Sequence, residues 1–594
     1  MRKAPFVNPF RMDGEVARKI DNVFFSREIS GTMTQGFKRF LNARIFKFGR
    51  AVSYLFSHVG SRVYGTAMLS FGLMALLLYF IGLYPDKSYS APIIGAVFSI
   101  LSVPFLFSEK PLFVLLQDFP ITDYILFEFF CIKRVNRMEA ESRFPIIAAV
   151  LIGVIFSAIG ILFPLISVIA VVGIIVFVLV SFVSPEFAFF VTFLLMPYLG
   201  YLDNSIVFCL LISLATVSFI RKVIYGKRVI HIEQYEIVLG ALVFFVLISG
   251  IFVKGTESFT WSVEMLIMTM GYILSSNIIT NRRLADRVIN SIVIASVPPS
   301  VMSIVELVRL IVNRRITTLA DVSMSATFAD PSVFAVFLIT AIVFSAAMIK
   351  QNRRWGRVFY IISLSVNLIA LLLTCELFAI VALILGVIAY LSFKTNRLAF
   401  VIVPLLALLP LALLLLPEGV LNFVFDYIPS MPKLQELFDL WRSCLIAFLD
   451  NLFVGIGMGA ECFVEEMASY SIHGFTDSAN LFIELGLEAG VFALLCFVIL
   501  LFIRLRHRVS FFIYVRNSEV NILSPISAAC IFCLIAYGMV NYIWSDLSAY
   551  YLFSAVLGVG SATLRVAKKE YDDRVFYYED TRASDSSVID IELR

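Results

Sequence analysis

The chain has 594 residues, of which 60% are hydrophobic and 15% charged, with a formal net charge of +4 and a mean hydropathy of +0.93. Soluble domains are about 45–50% apolar and about 25% charged, so this balance excludes an ordinary soluble globular protein. The apolar residues fall in repeated runs near the ~20 residues that span a bilayer, without the two-residue alternation of a membrane β-barrel.

The first 60 residues are polar and basic, and no short apolar stretch precedes a small-residue cleavage site, so no cleavable signal peptide is expected. Within residues 1–62, Phe37, Phe40, Leu41, Ile45, Phe46 and Phe48 recur at helical spacing among Lys38, Arg39, Arg44 and Lys47. This pattern predicts a basic amphipathic helix on an anionic membrane face, the alternative being a disordered tail.

Spans are then predicted at 63–83, 90–107, 145–162, 164–183, 185–202, 205–220, 235–252, 261–279, 286–308, 331–349, 358–374, 377–393, 399–417, 480–503, 521–540 and 546–565. Stretch 112–132 is apolar but broken by Asp118, Pro120 and Asp123, which predicts an interfacial segment. Pro298-Pro299 is expected to interrupt and kink its span.

Positive charge orders these spans. Starting inside, the loops carrying Lys133–Arg143, Arg221–Arg228, Arg282–Arg287, Lys350–Arg357, Lys394–Arg397, Arg504–Arg508 and Arg565–Lys569 all fall on the cytoplasmic side. The expected fold is therefore an all-α bundle of about sixteen spans with both termini inside. Residues 63–229 form an amino-terminal membrane region, 230–565 a core with a large external loop at 418–479, and 566–594 a disordered cytoplasmic tail. Arg309, Arg314, Arg315 and Arg442 fall outside, against the insertion bias, which marks them as anion-binding candidates. For Arg442 the plain alternative is snorkelling to the headgroups.

No His, Asp or Cys cluster has the spacing of a metal site, no nucleotide motif is present, and no nucleic-acid partner or cofactor is expected. Cys530 and Cys533 form a CxxC inside an apolar run, where packing is the plainer reading. Cys444 and Cys462 share the external loop, where they would pair in an oxidising compartment; free thiols are the preferred reading.

Residues 441–490 stand out. An amphipathic segment, Trp441–Leu449, leads to glycines at 455, 457 and 459. A polar loop follows over Glu461–Asp477, and a helix is predicted from near Asn480. Glu484 and Glu488 head that helix, where they pair with arginine or favour its dipole. Asn541, Trp544 and Asp546 mark an outer interface.

This stretch resembles the carboxyl-terminal signature of the O-antigen ligase and O-antigen polymerase superfamily. The matching frame is Trp441, Gly455, Gly457, Asn480, Glu488 and Gly490. A second match is Thr327, Phe328 and Pro331 within Ala326–Ser332. The resemblance covers roughly 230–510. It implies a metal-independent transferase in a bacterial cytoplasmic membrane. Such an enzyme moves a glycan from a polyprenyl pyrophosphate to a glycan or lipid acceptor on the outer side, among membrane lipids.

In that family a His acts as base and arginines clamp the leaving pyrophosphate. Here the His position is Ala479, the Arg positions are Ser323 and Leu377, and the Pro before the glycine turn is Leu452. The expected substitutes are His473 or Asp477 as catalytic base, with Arg309, Arg314, Arg315, Arg442, Asn480 and Glu484 as substrate contacts. The competing readings are a homologue without transfer chemistry, which binds lipid-linked glycan or partners another envelope enzyme, and a polysaccharide transporter or flippase. The second is disfavoured because no inverted repeat is visible.

Overall fold

The computed structural model describes residues 12–13, 59–84, 90–132, 134, 146–198, 205–224, 228–253, 255–313, 323–395, 434–506 and 522–592. Within these the chain is almost entirely helical. The expected span at 399–417, the loop residues 418–433, the basic segment over 14–58 and the arginines at 314 and 315 lie outside the described residues.

The chain divides into two compact units. The first holds the described residues from Val59 to Ala188 together with Val217–Lys222. Its helices are α1 (Ser61–Ile81), α2 (Ser90–Leu106), α3 (Leu112–Asp118), α4 (Ile146–Ile159) and α5 (Leu165–Val183). Small residues let α1, α2 and α4 approach closely. A Cβ at Gly72 would lie 2.4 Å from the Ser99 hydroxyl, and one at Gly153 would lie 2.0 Å from that of Ser70. Such contacts favour membrane helices, which gain packing rather than hydrophobic energy from association. Stretch 112–132 forms α3, a single turn at Pro120–Thr122 and a π-helix over Asp123–Phe129. Phe119, with extended φ of -91°, separates the first two.

The second unit holds Phe189–Thr216 and the described residues from Val223 onward. Helices α6 (Pro185–Leu195) and α7 (Ser205–Ile224) straddle the division. The unit then contains α8 (Gln234–Phe252), α9 (Thr256–Ile278), α10 (Arg282–Val312), α11 (Pro331–Gln351), α12 (Trp355–Leu373) and α13 (Leu377–Thr395). It continues with α14 (Leu434–Asp450), α15 (Ala460–Ser469), α16 (Leu481–Arg506), α17 (Leu523–Gly538) and α18 (Leu547–Glu592). Helices α11 and α18 are central, with 83% of each apolar window buried.

Eight helices among the described residues are long and apolar enough to cross a membrane: α1, α7, α8, α10, α11, α12, α16 and α18. Six more, α2, α4, α5, α6, α13 and α17, are apolar over 10–17 residues. Helix α9 belongs to neither group because Glu257, Glu264, Ser275, Ser276 and Asn277 dilute its apolar content.

Three local expectations are corrected. Helix α10 runs from Arg282 to Val312 with Pro298 and Pro299 inside it, so the proline pair does not interrupt the helix. A buried knot braces it there: Ser300 Oγ donates to Asn367 Oδ1 at 2.7 Å, and Asn367 Nδ2 donates to Ser296 Oγ at 2.8 Å. Neighbouring helices and hydroxyls support prolines in spans in this way. The polar stretch 461–477 is not all loop, because Ala460–Ser469 is α15. Its buried Phe463 and Met467 sit one turn apart, a short helical stripe easily hidden among Glu461, Glu465 and Glu466. The tail after Arg565 continues α18 to Glu592 rather than being disordered. No Gly or Pro follows Gly560, and Lys568–Asp572 and Lys569–Asp573 have the spacing that supports an exposed helix.

Candidate functional site

The glycine-rich turn is built into a broken helix. Helix α16 is interrupted at Gly490 (φ 80°, ψ 177°), roughly 13 Å along from Leu481 at about 1.5 Å per residue. A break frees backbone groups that a buried helix must satisfy elsewhere. The turn 452–457 supplies the partners. Ile456 N–H donates to Leu487 O at 2.9 Å and Gly457 N–H to Glu488 O at 3.2 Å, while Val491 N–H donates to Leu452 O at 2.8 Å. The two backbones lie so close that a Cβ on Gly455 would be 2.3 Å from Glu488 O, and one on Gly490 would be 2.5 Å from Phe453 O. Gly455 also has φ +79°, a left-handed conformation that costs other residues about 1–2 kcal/mol.

Glu488 fastens this turn. Its side chain is buried; Oε1 accepts from Gly459 N–H at 3.0 Å and Oε2 from the Tyr542 hydroxyl at 2.8 Å. Ser249 Oγ on α8 donates to the Glu488 carbonyl at 2.6 Å, and Met458 N–H donates to Ser258 Oγ at 2.8 Å. Glu484, one turn earlier and also buried, accepts from Ser478 N–H at 2.6 Å. Among the described residues neither glutamate forms an ion pair with arginine; the partners seen are backbone amides and the Tyr542 hydroxyl.

Asn480 is the N-cap of α16. Its Oδ1 accepts from Phe482 N–H at 2.9 Å and Ile483 N–H at 3.2 Å, and its Nδ2 donates to Met539 O at 2.7 Å. Trp441, buried on α14, donates from its indole to Ser478 O at 2.8 Å. The amphipathic helix is thereby tied to the residues preceding α16.

Four segments that lead into helices meet here: 323–330 before α11, 374–376 before α13, 476–480 before α16 and 539–546 before α18. Met324 N–H donates to Leu373 O at 3.0 Å, and Ser323 Oγ to Thr374 O at 3.3 Å. Tyr537 OH donates to Glu376 Oε2 at 3.0 Å. Asp330 caps α11 through Ser332 N–H at 2.8 Å, with Pro331 at the first helical position. Phe328 stacks on Phe334 with ring centres 5.3 Å apart, which anchors the 323–330 segment, and Thr327 is buried with an unpartnered Oγ1.

Three of these segments each hold one non-glycine residue in the left-handed region: Ala326 (φ 51°), Cys375 (φ 57°) and Ala479 (φ 51°). Such residues persist where surroundings over-determine them, and they cluster at functional sites. Around Ala479 the cause is visible: Asp477 Oδ1 accepts its N–H at 2.8 Å, closing an Asx turn.

The groups brought together are acidic. Asp330 raises the carboxyls of both Asp477 and Glu376, although burial is the larger cause for each. Burial pushes Glu376 from the ordinary 4.5 to about 7, against the lowering by the Tyr537 hydrogen bond. For Asp477 the rise is opposed by the Ala479 N–H and the Thr476 hydroxyl.

The other expected site residues are placed differently. His473 is exposed in the loop after α15. Arg309, in the last turn of α10, and Arg442, on α14, are exposed. No ion pair among the described residues joins either arginine to Asp330, Glu376 or Asp477. An arginine clamp is thus not assembled among the described residues. Sequence reasoning did not assign Asp330, Glu376 and Tyr537 to the site. The available signal was an acid just ahead of each of the helices α11, α13 and α16. Cys444 and Cys462 are free thiols, and no cluster of His, Cys, Asp or Glu among the described residues is arranged to hold a metal.

No protein-family model and no curated protein matches the chain.

Proposed function

We propose that the chain is a membrane glycan transferase of the O-antigen ligase-like type, working on the outer side of a bacterial cytoplasmic membrane. In this reading about sixteen spans place both termini inside, and 451–459 is a re-entrant turn of the external loop. The observation that carries it is convergence. The segments around Thr327, Glu376 and Asn480, far apart in sequence and identified by the resemblance, meet in one acidic, strained cluster.

The donor is a polyprenyl-pyrophosphate-linked glycan and the acceptor a hydroxyl of another glycan or a lipid. A carboxylate, Asp477 or Glu376, takes the acceptor's proton. The acceptor oxygen bonds to the anomeric carbon as the carbon–oxygen bond to pyrophosphate breaks, and the pyrophosphate leaves with the electron pair. A raised carboxyl is suited to this because a base works best with a pKa near ambient pH. The base contributes about 10²–10⁴ in rate.

The test is complementation of a strain lacking the chain by Asp477→Asn and Glu376→Gln, with envelope glycans and lipid-linked precursors measured by mass spectrometry. The reading expects loss of polymer and build-up of precursor; wild-type glycans from both variants would overturn it. The absence of basic residues at positions 323, 377 and 479 favours a second reading, binding without transfer. That reading expects purified protein to retain lipid-linked glycan while glycan output stays independent of both carboxylates.

A further inference from the structure

The cluster contains a buried hydrogen-bond chain that the transfer reading does not by itself require. Asn541 Nδ2 donates to the Tyr537 hydroxyl at 3.0 Å, and that hydroxyl donates to Glu376 Oε2 at 3.0 Å. Tyr537 is fully buried and Glu376 is 6% exposed, so water does not substitute for either partner. The direction is fixed by chemistry. An amide NH₂ only donates, so the phenol oxygen accepts from Asn541 and its single proton points at the carboxylate.

The chain also crosses elements. Tyr537 lies near the end of α17, Asn541 follows it by one turn, and Glu376 sits in the tight segment between α12 and α13. The left-handed Cys375 beside Glu376 turns the backbone there. We infer that Tyr537, held by Asn541, is a positioning residue that fixes one oxygen of Glu376, leaving the other oxygen to meet the acceptor hydroxyl. This rests on reading the outer cluster as the transfer site, and it assigns Glu376 rather than Asp477 as the group organised for proton transfer.

The charged and titratable groups facing Glu376 are Asp330 from the segment before α11, Tyr537 from α17, and its neighbour Cys375; Asp477 faces Asp330 in turn. Asp330 disfavours the ionised carboxylate, and Tyr537 is the group that favours it. Removing the phenol hydroxyl therefore makes Glu376 harder to ionise. Asn541 acts one step further away and its loss has a smaller effect in the same direction.

The test needs no substrate. The full-length chain in detergent is treated with dicyclohexylcarbodiimide, which modifies protonated carboxyls in apolar surroundings, across pH 5 to 9. Modification of the peptide containing Glu376 is read by mass spectrometry, with Glu376→Gln as the blank. The native chain is expected to be half-labelled near pH 7. Tyr537→Phe is expected to move that midpoint up by about one pH unit, the size of one hydrogen bond to a charged group. Asn541→Ala moves it less, and neither variant moves the labelling of Asp477.

A residue that merely packs would leave the midpoint in place. Unchanged midpoints in both variants overturn the inference. If Tyr537→Phe does not fold, Asn541→Ala carries the test, because Asn541 is only half-buried. The labelling does not depend on glycan transfer, so its failure leaves the transferase reading standing. Failure of Asp477→Asn and Glu376→Gln to alter glycans would overturn that reading while the labelling result stood.

Discussion

Gly455→Ala should be far more damaging than Gly474→Ala, although both glycines are left-handed, with φ of +79° and +87°. In each case the new side chain costs about 1–2 kcal/mol of backbone strain. At Gly474 nothing lies within 4 Å of the added carbon, so the strain is the whole effect. At Gly455 the carbon would sit 2.3 Å from Glu488 O, 2.5 Å from its carbonyl carbon and 2.7 Å from Leu487 O. These are backbone atoms and cannot swing away. The turn must withdraw and lose the hydrogen bonds from Ile456 to Leu487 and from Gly457 to Glu488. Leaving buried partners unpaired costs about 1–3 kcal/mol each. The total is about 4 kcal/mol or more, so the two variants should differ by about 3 kcal/mol, roughly a hundredfold in unfolding constant. Unfolding in mixed micelles titrated with dodecyl sulfate, followed by circular dichroism, measures the difference. Equal destabilisation, within about 1 kcal/mol, would refute the account of the turn as the plug of the broken helix.

Other expectations follow from the same contacts. Glu488→Ala strands the Gly459 amide and the Tyr542 hydroxyl, costing about 1–3 kcal/mol for each. Glu488→Gln keeps one acceptor and should cost about half as much in the same unfolding titration. Asn480→Ala removes the α16 cap, for about 1–2 kcal/mol. Glu376 gives the protein a pH dependence of known sign. Its folded carboxyl titrates near 7 against an ordinary 4.5. The relative stability is thus full below about 4.5 and is lost as pH rises through about 7, a change of about 3 kcal/mol. Unfolding at pH 5 and pH 8 should show a larger loss in the native chain than in Glu376→Gln, where the raised Asp477 carboxyl still contributes in the same direction; equal losses in the two would contradict it.

The helices were legible because apolar runs and interrupting charges carry their own punctuation. Asp330-Pro331 before α11 and Asn480 before α16 mark helix starts in the sequence, and both helices begin where expected, with Asp330 and Asn480 as their caps. Helix α15 was not legible because its buried stripe is only Phe463 and Met467, flanked by glutamates that read as loop. The glycines at 455, 457 and 459 signalled a turn, but their partner did not show. Gly490 follows Glu484, Gly486 and Glu488 within a stretch long and apolar enough to read as one unbroken span, so its glycine did not announce a break.

The candidate site was half legible for a related reason. Motif spacing pointed to Asn480 and Thr327, whereas Glu376 gains its setting from Tyr537, 161 residues away in sequence. Arg309 and Arg442 were singled out for breaking a charge rule, which describes insertion and carries no information about what a side chain faces.

The central claim is that the acidic cluster performs transfer on the outer side, and it is tested most directly by the double variant Asp477→Asn, Glu376→Gln in a strain lacking the chain. With the protein present in membranes at native levels, the account predicts loss of the envelope glycan and accumulation of its lipid-linked precursor. Native glycan in native amount from that double variant would contradict it.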